Sequence, residues 1–189
     1  QFARPLGYAD HLLSRVDQGH APSCTMIKIR TIRPLDWPAI MAIQRECYHQ
    51  LEPEPLEVMS NKAELAPACC WVAERQGQVL GYLLCHPWRA HCPPPLSQPL
   101  QPLTDHEEFY LHDLAVSGEA RGLGVGQRLL ATALAFASDE GYQHAGLVAV
   151  QDAPAFWRKQ GFVPARTPKS LEEYGEGAVY MRLPLTEPA

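Results

Sequence analysis

The stretch Arg121-Gly122-Leu123-Gly124-Val125-Gly126 decides the interpretation of this chain because of its position. It follows residues 109–116, an apolar run rich in strand-forming side chains, and precedes residues 127–140, whose apolar side chains recur at helical spacing. The start of a helix carries unpaired backbone N–H groups and the positive end of the helix dipole, and glycines let an anion approach them. The sequence therefore predicts a phosphate-binding turn, to which Arg121 can add a charged hydrogen bond.

Two other phosphate-binding motifs, the Walker loop and the dinucleotide fingerprint, match this sequence less well. A Walker loop needs Lys after its last glycine, where this chain has Gln127. A dinucleotide fingerprint would need its third glycine at Gln127 or Leu129, although Asp152 lies where a ribose-binding carboxylate would follow the next strand. A dinucleotide fold, and a turn that only redirects the chain, therefore remain as alternatives.

Hydrophobic periodicity divides the rest of the chain into short elements. Asp36 is a candidate cap for a helix whose apolar face carries Ile40 and Ile43. Gly77 marks a hairpin, and six prolines between residues 87 and 106 predict a long loop. Because hairpins are mixed with crossover units, we expect an α+β fold around a mixed sheet. The predicted strands are residues 27–32, 70–74, 78–85, 109–116, 146–150 and 178–183, and the further predicted helices are residues 56–65, 127–140 and 153–160.

Length, charge and cysteine content limit the class of protein. With 189 residues, 46% of them hydrophobic, the chain has the size of one domain. Residues 1–25 lack periodicity and precede Met26, so we interpret them as a tail or upstream extension and residues 26–185 as a single domain. A net charge of −5 opposes binding to nucleic acid or an anionic membrane. The sequence has no signal-peptide pattern, no long apolar run and no disulfide spacing, which favours a cytoplasmic protein with reduced thiols.

Two neighbouring pairs, Cys85-His86 and His91-Cys92, offer side chains of the kinds that bind zinc. Adjacent residues of an extended strand point to opposite faces, so both members of a pair rarely reach one ion. We therefore expect no metal site.

The turn resembles the acetyl-CoA loop of the GNAT superfamily of N-acetyltransferases, which has Arg or Gln, two free positions, Gly, one free position, then Gly or Ala. Residues 155–162, Ala-Phe-Trp-Arg-Lys-Gln-Gly-Phe, resemble the helix after the family's fifth strand. The resemblance extends over residues 27–183. Within the superfamily, Leu-His-Asp-Leu-Ala-Val at residues 111–116 is most similar to the arylalkylamine N-acetyltransferases.

The resemblance implies a mostly antiparallel sheet of six or seven strands flanked by about four helices. It implies acetyl-CoA as co-substrate, no metal, and direct transfer of the acetyl group to a primary amine of a small molecule or peptide by a monomer or homodimer. The backbone near the end of one strand would pair with the pantetheine arm, and amides of the turn would hold the pyrophosphate. The implied cofactor-binding residues are Leu114, Ala115, Val116, Arg121, Gly122, Leu123, Gly124, Val125, Gly126 and Gln127.

Three residues are candidates for proton handling. A histidine can change its charge near neutral pH, and His112 precedes the pantetheine-binding segment, so it is the candidate base, with a packed histidine as the alternative. Tyr110 shares its strand face and is a possible relay or substrate wall, or a core aromatic. Trp157 stands where many members of the family place an acidic Tyr, and Val150 where many have Asn. Because an indole N–H has no practical acidity, a cofactor-binding module without catalysis remains an alternative.

Other side chains near the predicted strand at residues 109–116 are not assigned a role in catalysis. In a regular strand Asp113 points away from His112, so we do not assign it a catalytic role. Glu107 and Glu108 begin the strand and are expected to be solvated. The aromatic residues Trp71, Trp88 and Trp157 are candidates for a pocket wall or for the core. A toxin or tRNA-directed acetyltransferase is disfavoured by the acidic composition.

Overall fold

The computed structural model describes residues 26–49 and 51–185, so the proposed tail at residues 1–25 lies outside the described residues. In this described part of the chain, seven strands form one sheet in the order β1-β2-β3-β4-β5-β7-β6, in which only β4 and β5 are parallel. The α+β expectation with a mostly antiparallel sheet is confirmed. The elements are β1 (Lys28–Thr31), α1 (Trp37–Cys47), α2 (Leu56–Leu65), β2 (Cys70–Arg75), β3 (Gln78–Trp88), β4 (Glu108–Val116), α3 (Val125–Asp139), β5 (His144–Ala149), α4 (Pro154–Lys159), β6 (Val163–Pro164) and β7 (Val179–Pro184).

Two strand assignments differ from the prediction for physical reasons. β3 continues through Pro87, because β2 pairs with it only as far as Leu84 and a proline is tolerated where one edge of a strand is free. The loop after β3 therefore starts at Arg89. The two-residue strand β6 was not predicted, since it is too short to show a period.

Asp36 does not cap α1 as predicted. Its carboxylate instead accepts hydrogen bonds from the guanidinium of Arg30, at 2.7 and 2.8 Å, and from the backbone N–H of Arg33 at 2.7 Å. The helix begins at Trp37 after a short 3-10 turn and has no side-chain cap. This residue therefore ties the entry of α1 to the edge strand β1.

The sheet buries an apolar core on each face. α3 covers one face together with Trp157 and Phe162, which follow β5. α1 and α2 cover the other face, where Ile40, Ile43 and Met59 pack against β2 and β3. Polar side chains of β4 that point toward α1 and α2 are consequently enclosed rather than solvated.

The parallel strands β4 and β5 separate along their length. They pair at Phe109 with Ala145 and at Tyr110 with Gly146, and β4 then continues beside β3 while β5 pairs with β7. Glu108 lies where the two strands meet. It is fully buried, contrary to the expectation of a solvated residue, and its carboxylate accepts hydrogen bonds from Tyr180 at 2.8 Å and Arg182 at 2.7 Å. The divergence leaves a wedge-shaped cleft in the middle of the sheet.

Within residues 26–49 and 51–185, no helix combines the length and the apolar character that a membrane crossing requires.

Candidate active site

The cleft between β4 and β5 contains a cavity of about 360 Å³. One wall is the end of β4, residues 111–116, and the other is formed by Val148, Val150 and Trp157 after the strands diverge. Residues 51–54 and the loop residue Ser97 close one end of it. The cavity therefore brings together segments that are distant in sequence.

A β-bulge places two polar side chains of β4 on one face. Leu84 of β3 pairs with Asp113 and Cys85 pairs with Leu111, which leaves His112 without a partner in the register. The extra residue shifts the alternation, so His112 and Asp113 both point toward α1 and α2 and line the cavity. The prediction that Asp113 points away from His112 was wrong, because it assumed a regular strand.

His112 is held by its Nδ1 atom and leaves its other ring nitrogen free. His112 Nδ1 lies 3.1 Å from His86 Nε2, and His86 Nδ1 lies 3.1 Å from the carbonyl of Pro87. A carbonyl only accepts, so His86 carries its proton on Nδ1, and His112 must donate from its own Nδ1. His112 Nε2 is buried and has no hydrogen-bond partner, so its lone pair can take up a proton.

Burial keeps His86 neutral. Its exposure is 2%, and desolvation together with the neighbouring His112 lowers the pKa of His86 to about 3. A neutral His86 is a hydrogen-bond acceptor at Nε2 throughout the physiological range, so it fixes the orientation and tautomer of the His112 ring.

An ion pair lies beside the free nitrogen of His112. Glu54 Oε2 is 3.6 Å from His112 Nε2 and 3.3 Å from Nζ of Lys62, whose side chain is fully buried. Burial raises the pKa of Glu54, but His112 and Lys62 outweigh it and hold the pKa at about 2. Burial lowers the pKa of Lys62, and Glu54 opposes this effect. We call Glu54, Lys62, His86 and His112 the polar cluster.

Asp113 is bound by two phenols on the same side of the sheet. Tyr48 and Tyr82 both donate to its carboxylate, the second at 2.8 Å. Burial raises the pKa of Asp113, and the two hydrogen bonds oppose that shift. Because both oxygens are occupied by tyrosine hydroxyls, this carboxylate holds α1 against β3 and β4.

Tyr110 lies behind His112 rather than in the cavity wall. It is 2% exposed, and its ring centroid is 6.0 Å from that of His112 and 5.4 Å from that of His86. Burial raises the pKa of the Tyr110 phenol well above its usual value. Tyr174 lines the cavity, and its hydroxyl donates to the carbonyl of Pro94 in the proline-rich loop.

Residues 121–126, the glycine turn, lie at the start of α3 with the backbone geometry that glycine favours. Gly122 and Gly124 have φ values of 77° and 69°. α3 begins at Val125, two residues earlier than predicted, with Gly124 as its N-cap and no side-chain cap. The first intrahelical bond at this end runs from Arg128 N to Gly124 O, so the preceding amides have no intrahelical acceptor. Arg121 beside them is exposed.

The aromatic residues proposed as pocket walls are in different places. Trp157 lines the cavity and is 7% exposed, with Phe156 and Phe162 packed against its ring edges. Trp71 packs against Phe136 in the core, and Trp88 donates to the carbonyl of Cys92. Of these three tryptophans, Trp157 alone therefore lines the described cavity.

Sequence reasoning missed Glu54 and Tyr48, which line the cavity, and Lys62 and His86, which contact the lining residues Glu54 and His112 from behind. Glu54 and Lys62 come from the α1–α2 region, His86 from β3 and Tyr48 from the end of α1. These positions carry no local motif. The sequence alone fixes neither the register of β3 and β4 nor the contact between His86 and His112.

Comparisons with known proteins agree with this architecture. A family model described as the acetyltransferase (GNAT) family matches residues 37–162, more than half of the chain. N-acetyltransferase 8F1 of Mus musculus is 32% identical over 92 residues, which cover 49% of this chain and 36% of that relative. The match thus spans about a third of the relative's length.

Solved structures share the fold at low sequence identity. Ard1 from Thermoplasma volcanium is 19% identical, with a TM-score of 0.67 over 85% of this chain and 99% of its own. A GNAT family acetyltransferase from Brucella melitensis, in complex with acetyl-CoA, is 20% identical, with a TM-score of 0.58 over 86% of this chain and 90% of its own.

Proposed function

Because the chain belongs to the acetyltransferase (GNAT) family, we propose that it transfers the acetyl group of acetyl-CoA directly to a primary amine of a small molecule or peptide. The observation that carries this proposal is that His112, whose buried Nε2 has no hydrogen-bond partner, lines the same cavity as residues 114–116 of β4. A proton acceptor and the predicted pantetheine-binding segment are thus adjacent in one cleft.

The chain's own groups fit acetyl-CoA. The amides at the start of α3 lack a side-chain cap and suit a pyrophosphate, and Arg121 is exposed beside them. Ser117 N donates to Leu80 O at 2.8 Å, and the alternation of an antiparallel pair then turns the main-chain groups of Leu114 and Val116 away from β3, toward the cleft. Those groups can pair with the amides of a pantetheine arm. Acetyl-CoA itself supplies the activated thioester.

His112 Nε2 would accept the proton that the acceptor ammonium must lose before its nitrogen can attack. The C–N bond then forms as the C–S bond breaks. The second proton passes from the nitrogen to the leaving sulfur, since the indole N–H of Trp157 is too weakly acidic to protonate a thiolate. In this scheme Trp157, at the position where many related enzymes have Tyr, only forms part of the cavity wall.

Direct transfer is favoured over a covalent enzyme intermediate by the state of Cys47. This thiol lines the cavity and donates to the carbonyl of Val116 at 3.2 Å. Burial raises the pKa of Cys47, and the thiol form is a poor nucleophile. We expect Cys47→Ser to retain turnover, and mass spectrometry of the protein with acetyl-CoA to detect no acetylated Cys47.

The test is release of CoA thiol by the purified chain with acetyl-CoA and a panel of alkylamines, arylalkylamines and peptides with free N-termini. We expect at least one acceptor to give saturable release and an acetylated product by mass spectrometry. Acetyl-CoA that stabilises the fold while no acceptor raises thiol release above the amine-free rate would instead establish the cofactor-binding module.

A further inference from the structure

We propose that Lys62 and Glu54 together set the proton affinity of His112, with Lys62 acting as a positioning residue through the carboxylate that it shares with the imidazole. This inference rests on the proposed role of His112 as the base of acetyl transfer.

The geometry places the ammonium of Lys62 and the ring nitrogen Nε2 of His112 beside one oxygen atom. Glu54 Oε2 lies 3.3 Å from Lys62 Nζ and 3.6 Å from His112 Nε2. The other oxygen, Oε1, accepts the backbone N–H of Ser97 at 2.6 Å. The lysine and the histidine therefore compete for the same negative charge.

Burial makes this competition strong. The exposed fractions of the side chains are 0% for Lys62, 3% for His112 and 10% for Glu54. Water screens charges poorly at such a site, so each full charge is felt by the other two. A lysine without exposure is rare unless it is paired, and its ammonium is held by this one carboxylate.

The charge balance indicates what Lys62 does. Without it, an anionic Glu54 and a protonated His112 would form a neutral buried pair, which would retain the proton and leave no free base. With Lys62 present, its positive charge already balances the negative charge of Glu54. Protonation of His112 then gives the site a net positive charge. The lysine thereby keeps His112 able to take up and release a proton.

The other polar groups around His112 do not take over the effect of Glu54 and Lys62 on its proton affinity. His86 on β3 is neutral and binds only Nδ1. On β4, Tyr110 is a buried phenol, and the carboxyl group of Asp113 is held by Tyr48 and Tyr82. Asp113 also interacts electrostatically with His112, but it is the same in the parent and in variants of Glu54 and Lys62. The ion pair beside Nε2 is formed by Glu54 and, behind it, Lys62.

Two single variants and their combination test the proposal. The acidic limb of the pH profile of kcat/KM is expected to move to lower pH by about 1 unit in Glu54→Gln and to higher pH by about 1 unit in Lys62→Met. The double variant, which replaces the pair by neutral side chains of similar size, is expected to return near the parental profile. Loss of packing alone cannot move the acidic limbs of the two single variants in opposite directions.

Histidine NMR titration of the cofactor-free protein separates this inference from the proposed function. The signal absent from His112→Gln identifies His112, and its titration midpoint is expected to follow the same order in the variants. Shifts in that order without turnover in any acetylation assay would support the inference and defeat the proposed function. Midpoints that are equal in parent, Glu54→Gln and the double variant would overturn the inference whatever the activity.

A surface pair provides the matched control. Lys169 and Glu173 form a partly exposed ion pair at 3.0 Å outside the cavity, so Glu173→Gln is expected to leave the His112 midpoint and the activity profile unchanged. If Lys62→Met does not fold, Glu54→Gln and the double variant still differ by Lys62 alone. Equal His112 midpoints in those two would overturn the proposal.

Discussion

The glycine turn and the polar cluster serve one cleft but are built in different ways. The turn is six consecutive residues, and its binding groups are backbone amides at the start of α3. The polar cluster draws Glu54, Lys62, His86 and His112 from the α1–α2 connection, a helix and two strands. Anion binding by the backbone therefore needs only a local sequence, whereas control of a proton needs the completed fold. A chain can retain the first and lose the second, so the two functions must be tested separately.

The largest effect is expected from the polar cluster. His112→Ala should lower turnover by about 100-fold or more, since positioned bases contribute factors of that size, while acetyl-CoA affinity stays near parental. Steady-state rates and calorimetric cofactor titration measure the two properties. His106→Ala, which removes an exposed histidine of the long loop, is the control. A folded His112→Ala protein with parental turnover and pH dependence would contradict the assignment.

The glycine turn should show the reverse pattern. Gly124→Glu places a negative charge and a strained side chain at the N-cap, so the stabilisation by acetyl-CoA, about 2.7 kcal/mol at a ligand concentration 100 times Kd, should disappear. Gly141→Glu is the matched control. It also has a positive φ and open space around its Cβ, but it lies at the other end of α3. Thermal shifts that are equal in parent and Gly124→Glu would reject a phosphate site at this turn.

The polar cluster should also make the free energy of unfolding depend on pH. The pKa of His86 is about 3 in the folded chain against 6.5 for an ordinary histidine. Between these values the unfolded chain binds more protons, so stability falls as the pH falls, by about 2 kcal/mol from pH 6.5 to pH 5.

His86→Gln should remove this component, because glutamine keeps an acceptor near the Nε2 position but does not titrate. Denaturant unfolding of both proteins at pH 6.5 and pH 5 measures it. An identical loss of stability in both would show that His86 is not buried in its neutral form.

The smallest effect is expected at Trp157, which lines the cavity. Trp157→Tyr should keep turnover or raise it by up to about tenfold, because it restores a phenol where related enzymes have an acid. Trp157→Phe retains an aromatic wall without an acid. If the two variants lose turnover equally, with parallel losses in melting temperature, the position acts through packing alone.

The sequence predicted the parts that depend on neighbouring residues. The positions of β4, the turn and α3 followed from a strand-forming run, three glycines and an apolar helix face. The helix began two residues earlier than expected because Gly124, rather than Gly126, adopts the left-handed N-cap conformation. The wedge itself was not predictable, since divergence of two strands depends on the partners that each finds elsewhere.

Apart from His112, the polar cluster escaped prediction because its members meet only through tertiary contacts. The bulge at His112 is visible as a mismatch of register between β3 and β4, and single-sequence alternation cannot reveal it. Lys62 follows the buried Val58 and Met59 at helical spacing and so lies on the buried face of α2, where a lysine is rare unless a partner such as the Glu54 carboxylate compensates its charge. Glu108 was misassigned for the same reason, since Tyr180 and Arg182 come from the last strand.

The place where β4 and β5 part has a consequence for how this chain can change over evolution. A Cβ atom on Gly146 would lie 1.8 Å from Oε1 of Glu108, so no other residue fits at 146 while that carboxylate keeps its position. Loss of Glu108 would in turn leave Tyr180 and Arg182 without their shared acceptor. Substitutions at these four positions should therefore be inherited as a set, and lineages that lose one of them should show compensating changes at the others before the cleft changes shape.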